Sequence, residues 1–166
     1  MTKIIVSILA FLLMIFPNSK LLIGAHQART NTVSIVAPKI VDAIKARDAA
    51  TLESFMCQNI KQNTSNLRGE INNMLDAIDG TITEATWAWR GGSYSESRSG
   101  GKKISQEGFE ITVTTSVNSY ALGIWWETIN NFKPKEVGIR SIGLRYYQGA
   151  VLMRISATNG ISDWHD

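Results

Sequence analysis

Cysteine is almost missing from this chain: Cys57 is the one thiol in 166 residues. No intramolecular disulfide is therefore possible, and the fold must rest on its core alone. Cys57 follows the apolar pair Phe55 and Met56 of an expected helix, where a lone thiol packs as a small hydrophobe rather than reacting. Histidine is nearly as scarce. His26 and His165 lie near the two ends of the chain, and no His/Cys/Asp/Glu set has ligand spacing, so no metal site is expected. The same scarcity argues against a hydrolase triad. No Gly-rich phosphate loop precedes a helix. No catalytic residue and no cofactor is read from the sequence. An excess of one charge is lacking too, since 17 basic residues face 14 acidic ones. They are scattered, with no basic stripe interleaved with aromatics, which excludes nucleic acid as the expected partner.

Long apolar runs are limited to one. Ile4–Phe16 has thirteen residues with no charge, a helix of about 20 Å against a hydrocarbon core of about 30 Å. Lys3 precedes the run, Pro17–Lys20 ends it, and Leu21–Ala25 offers a small-residue cleavage site. The pattern reads as a signal peptide over residues 1–25, cut after Ala25. It implies a secreted or cell-envelope protein on the outer face of the membrane. The alternative is an uncleaved leader extended through Leu21–Ile23, which is the one expected route to membrane contact. Leu22-Ile23-Gly24 has the shape of a lipobox, but Ala25 stands where the acylated Cys belongs.

After the leader, residues 26–37 read as a linker, 38–157 as one domain and 158–166 as a flexible tail. Pro38 suits a first helical turn, and Ile40, Val41 and Ile44 follow at helical spacing to about Arg47. Asp48 is the expected N-cap of a second helix carrying Leu52, Phe55 and Met56. A third opens at Asn63-Thr64-Ser65, with Leu67, Ile71, Met74, Leu75 and Ile78 on its inner stripe, and stops at Asp79-Gly80. Beyond Gly80 the apolar period becomes two. Thr81–Arg90 reads as a strand, the Gly/Ser-rich stretch 91–101 as a flexible loop or frayed hairpin tip, and Lys102–Gln106 as a short strand. Phe109–Ile129 reads as a hairpin turning at Asn118-Ser119, which pairs Val113 with Ile124 and Ile111 with Trp126. A second hairpin turning at Gln148-Gly149 pairs Tyr146 with Val151, Leu144 with Met153 and Ile142 with Ile155. Helices first and sheet after give an α+β domain, with three helices packed on one face of a curved antiparallel sheet.

The stretch Ile40–Ile155 resembles a family of uncharacterised secreted or lipoprotein domains from Gram-positive bacteria, similar in fold to the nuclear-transport-factor-like, cystatin-like cones. The residues that carry it are Ile40–Asp48, Phe55–Lys61, Ile78-Asp79-Gly80, the loop at 91–101, Pro134–Ile139 and Ile142-Gly143-Leu144. The resemblance implies a fold and a compartment, and no activity.

Aromatics supply the candidate surface. Trp87, Trp89 and Trp125 alternate with Thr or small residues, while Tyr120, Trp126 and Tyr146 fall on the core side. Aromatic side chains beside Arg145 suit recognition, because they bury large area at low entropic cost. The expected register also sets Glu110 opposite Glu127 on the polar face, a pair able to do acid/base work; a solvated sheet face with Arg140 nearby is the plainer reading. The sequence thus points to an extracytoplasmic, non-catalytic binding or interaction module for an unknown protein or small ligand. The alternatives are an immunity-type or homodimerising domain that docks through the sheet, and a small pocket enzyme on the same fold.

Overall fold

The computed structural model describes residues 19–156, with side chains over 32–89 and 96–156. The expected apolar leader at Ile4–Phe16 and the tail at 158–166 lie outside the described residues. The described residues divide into two units between Ile35 and Val36, and α1 (Ser19–Lys45) has residues in both. The expected linker at 26–37 is therefore helical in the structure, and Pro38 sits inside a helix rather than at its start. Its missing N–H forfeits one helical hydrogen bond without stopping the helix. Among the described residues no helix is long and apolar enough to cross a membrane.

In the second unit, Ile40 and Ile44 of α1 are fully buried. Arg47, at φ 50°, turns the chain out of α1. Asp48 then caps α2 (Ala49–Phe55) as expected, its Oδ1 accepting from Thr51 N at 3.0 Å. Two further helices follow, α3 (Gln58–Asn63) and α4 (Leu67–Asp76). The described chain thus has four α-helices where the sequence suggested three. The cap of α4 is Asn66, one residue beyond the expected Asn63–Ser65, its side chain accepting from Gly69 N at 3.3 Å, and the helix buries Leu67, Ile71, Met74 and Leu75 as the spacing requires. Its C-terminus is closed from outside: the Arg47 guanidinium donates to Leu75 O, to Ile78 O at 2.6 Å and to Gly80 O at 3.1 Å. A cation there meets the negative end of the helix dipole.

Five antiparallel strands follow in simple order, β1 (Ile82–Ser99), β2 (Lys102–Thr115), β3 (Ser119–Asn130), β4 (Gly138–Tyr146) and β5 (Val151–Ser156). Of the two readings of 91–101, flexible loop or hairpin tip, the structure has the hairpin, with strand as far as Ser99. The ladder pairs Tyr94 with Glu107 and continues to Ser99 with Lys102, leaving Gly100 (φ 54°) and Gly101 (φ 76°) as a two-residue turn. Two successive left-handed residues match the twist of a hairpin, and glycine adopts them without strain. The composition that suggested a loop describes side chains, whereas the backbone bonds to β2 make the strand.

The β2–β3 register also differs from expectation. Ile111 pairs with Leu122 and Val113 with Tyr120, rather than with Trp126 and Ile124. Thr115 is the cause. Its hydroxyl accepts from Val117 N and Asn118 N and donates to Asn118 O, while its own N–H also donates to Asn118 O at 2.8 Å. That closes a four-residue turn over Thr115–Asn118 and leaves Val117 exposed at its tip. The shift is an even number of residues, so each side chain keeps its expected face. The β4–β5 hairpin pairs Ile142 with Ile155 and Leu144 with Met153 as expected; a bulge then sets Arg145, not Tyr146, opposite Val151.

Phe109, Ile111 and Val113 of β2, Tyr120, Leu122 and Ile124 of β3, and Ile142 and Leu144 of β4 are buried on one face. The helices lie on that side: Phe55 meets Trp126 with ring centroids 6.2 Å apart, and Asp79 N donates to Tyr120 Oη at 3.1 Å. Strand β4 starts hard against the α2–α3 junction, where Cys57 N donates to Ile139 O at 3.0 Å. Gly138, at φ 140°, leaves no room for a side chain, since a Cβ would stand 2.7 Å from Phe55 O.

Candidate functional site

The structure separates the residues that the sequence groups as a surface. Trp87, Trp89 and Tyr120 lie on the helix side of the sheet, level with Ile111, Phe109 and Val113. Trp125, Glu110, Glu127 and Arg145 lie on the opposite side. Glu110 and Glu127 are not cross-strand neighbours, because the true register sets Glu110 opposite Gly123 and Glu127 opposite Gln106. Each instead meets an arginine. Arg145 donates to Glu110 Oε2 at 3.0 Å, and Arg140 donates to Glu127 Oε2 at 3.1 Å.

Glu127 is buried and anchors a chain of polar contacts. Trp125 Nε1 donates to Gln106 Oε1 at 2.9 Å, and Gln106 Nε2 donates to Glu127 Oε2 at 2.9 Å. Asn130 Nδ2 donates to Glu127 Oε1 at 2.5 Å, while Asn130 Oδ1 accepts from Phe132 N and Lys133 N. The chain ties the outer face to the β3–β4 connection. Its donors and acceptors satisfy one another, as a buried charge requires.

The helix side behaves differently toward the hairpin end. The buried stripe of β2 runs Val113, Ile111, Phe109 and then continues, still fully buried, as Glu107 and Ser105. Glu107 lies opposite Trp126 on β3 and Tyr94 on β1, and Ser105 lies opposite Glu96. Ser105 Oγ and Trp126 Nε1 are buried without a hydrogen-bond partner among the described residues. Leaving a buried polar group unpaired costs about 1–3 kcal/mol, and native folds rarely tolerate it without a use. Glu96 at the rim is ion-paired to Lys103 Nζ at 3.0 Å and to Arg98 Nε at 2.5 Å. Trp87 and Trp89, half-buried on the same face, lead away from this cluster toward the apolar rows, and Trp87 meets Phe109 edge-on with centroids 6.5 Å apart.

Residues 39–150 match the family described as Domain of unknown function (DUF5104). The chain belongs to that family. The match covers the end of α1, the helices after it and the sheet as far as the β4–β5 turn, so Ser105, Glu107 and Trp126 all lie inside the DUF5104 domain. No curated protein matches the chain.

Sequence reasoning reached Trp126 as a core-side residue and did not single out Ser105 or Glu107. The signal was present. Stepping back by two from Thr115 through Phe109 lands on Glu107 and Ser105, but Gly108 interrupts the strand pattern and hid the continuation. The side chains brought together are an indole N–H, a hydroxyl and a carboxyl: one donor, one group that both gives and accepts, and one further acceptor when ionised. No group of three or more His, Cys, Asp or Glu side chains able to hold a metal ion occurs among the described residues. Cys57 in the DUF5104 core is pushed above the ordinary thiol value, chiefly by burial, which favours its protonated form beside β4.

Proposed function

We propose that this DUF5104 domain is a non-catalytic binding module that receives a small polar ligand on the helix side of its sheet, at Ser105, Glu107 and Trp126. One observation carries the reading: two polar atoms, Ser105 Oγ and Trp126 Nε1, are buried without partners beside a fully buried carboxyl side chain. The opposite face supports it by contrast. There the charges of Glu110, Glu127, Arg140 and Arg145 engage one another, so that face offers a partner protein few unmet hydrogen bonds.

On the same reading the sheet curls round its helices as a nuclear-transport-factor-like cone, whose interior receives the ligand. The leader pattern at residues 1–25 assigns the module to an extracytoplasmic location. Fractionation with mass spectrometry is expected to find the protein outside the cytoplasm with His26 as its first residue; Met1–Ala25 retained outside would mark an uncleaved anchor, and recovery in the cytoplasm alone would reverse that assignment.

The site itself is tested through stability. A hydroxyl kept for a ligand burdens the fold, so Ser105→Ala is expected to raise the melting temperature by about 2–4 °C, equivalent to about 1 kcal/mol. A fall of similar size would make the hydroxyl a structural group and overturn the reading.

A further inference from the structure

We infer that the end of the sheet formed by the β1–β2 hairpin and the β3–β4 connection is a contact surface for an anionic phospholipid membrane, with Phe132 as the side chain that enters the interface. The fold gathers there cations that the sequence scatters. The β2–β3 ladder runs to Ile104 with Asn130, and Asn131 N donates to Lys103 O at 2.9 Å. Lys102 and Lys103 are thereby set beside the connection that carries Lys133 and Lys135, and Arg98 lies opposite Lys103 on β1. Glu96 answers only Arg98 and Lys103. Glu136 turns inward, its Oε2 accepting from Asn59 N of α3 at 3.1 Å. Lys102, Lys133 and Lys135 are exposed, and among the described residues no carboxylate pairs with any of them.

Phe132 stands in this cluster 42% exposed. Its position is fixed by the backbone. Asn130 Oδ1 accepts from Phe132 N at 3.0 Å and from Lys133 N at 2.6 Å, and a 3-10 turn over Pro134–Glu136 follows, with Glu136 N donating to Lys133 O at 2.9 Å. Lys102 Nζ sits 5.4 Å from the centre of the phenyl ring. A cationic surface attracts any polyanion, and two details favour lipid. Nucleic acid would stack a base on the ring, whereas Lys102 already lies over one of its faces. Four of the five cations are lysines, whose long stems lie along apolar surface while their ammonium groups reach phosphate, and which lack the forked donors of arginine that read a phosphate or base in fixed geometry. A phenyl ring among lysines matches the boundary between headgroups and acyl chains. The surface gives the protein a route to the membrane other than its leader.

The test places a nitrobenzoxadiazole label on the full chain at one of two introduced thiols. Asn131→Cys marks this end, and Val117→Cys marks the turn at the opposite end of β2. Cys57 is fully buried, so brief labelling reaches the introduced thiol. With vesicles of equimolar phosphatidylcholine and phosphatidylglycerol, the label at 131 is expected to brighten and shift to the blue, and that at 117 to stay as in buffer. Insertion through Ile4–Phe16 would act on neutral lipid as well, so the response is read as the difference from vesicles of phosphatidylcholine alone. Lys133→Gln and Lys135→Gln are each expected to weaken lipid binding about fivefold at low salt, an effect that fades as salt rises. Phe132→Ala is expected to weaken it about tenfold, and this loss should persist in salt. No response at 131, an equal response at 117 or on neutral lipid, or indifference to all three substitutions would overturn the membrane assignment. Loss with the lysine variants alone would overturn the insertion of Phe132. Tighter binding of single-stranded oligothymidylate than of anionic lipid would give the surface to nucleic acid instead.

Discussion

Arg47 holds the end of a helix to which it does not belong. Three carbonyls near the C-terminus of α4, those of Leu75, Ile78 and Gly80, accept from its guanidinium, and no other cation occupies the last turn of that helix. Arg47→Ala is expected to lower stability by about 2 kcal/mol, seen as a lower urea midpoint with an unchanged slope. Its neighbour Asp48 works through protonation. Hydrogen bonds from the Thr51 hydroxyl and the Thr51 N–H hold its carboxyl below the ordinary value of 3.8. The folded state therefore prefers the ionised form. This contribution is present above the ordinary value and is lost as pH falls through the lower, folded-state one. Asp48→Asn retains a cap acceptor but removes the titration, so its stability should fall less steeply below pH 4 than that of the parent chain, as acid unfolding followed by circular dichroism would show.

Among the elements, β4 depends most on a single backbone position. Gly138 lets the strand begin against the Phe55–Cys57 segment, and both its left-handed φ and the 2.7 Å approach to Phe55 O forbid a side chain. Gly138→Ala is expected to cost about 2 kcal/mol or more, because the strain and the clash add. Thermal unfolding measures it. The helices were legible element by element where caps and stripes coincide, as at Asp48 and along Leu67–Leu75. Helix α3 was not, since Gln58–Asn63 buries only Ile60 and one apolar residue makes no stripe. The strands were legible in their faces, and β4–β5 in its pairing as far as Leu144 with Met153, but the β2–β3 pairing was not. Alternation states which side a residue takes, whereas pairing depends on where the turn closes. The Thr115 hydroxyl sets that point, and no period reports it. The same limit explains the candidate site: Trp125 and Trp126 were sorted to opposite faces correctly, while the apparent Glu110–Glu127 pair came from the misplaced turn.

At the scale of the whole molecule, Cys57 reports on cooperativity. It is fully buried, and burial raises its pKa, so a thiol reagent reaches it only when the structure around α2, α3 and β4 opens. Labelling of the native protein should be slow, and it should accelerate with urea in step with global unfolding rather than with local fraying. Rapid labelling in buffer would show that the α2–α3 junction opens separately. The α+β class followed from order alone, helices before strands. How far the sheet face is divided by chemistry did not, because that division emerges only when three strands are in register.

The stripe that runs from Val113 to Ser105 changes chemistry without changing depth, and this has an evolutionary consequence. In DUF5104 relatives, the apolar rows at 109, 111 and 113 answer only to volume, so Ile, Val, Leu and Phe should exchange there with compensation across the sheet. On the proposed function, positions 105, 107 and 126 answer to an outside molecule instead. They should change together or not at all, so a lineage that has altered one and kept the others has altered its ligand.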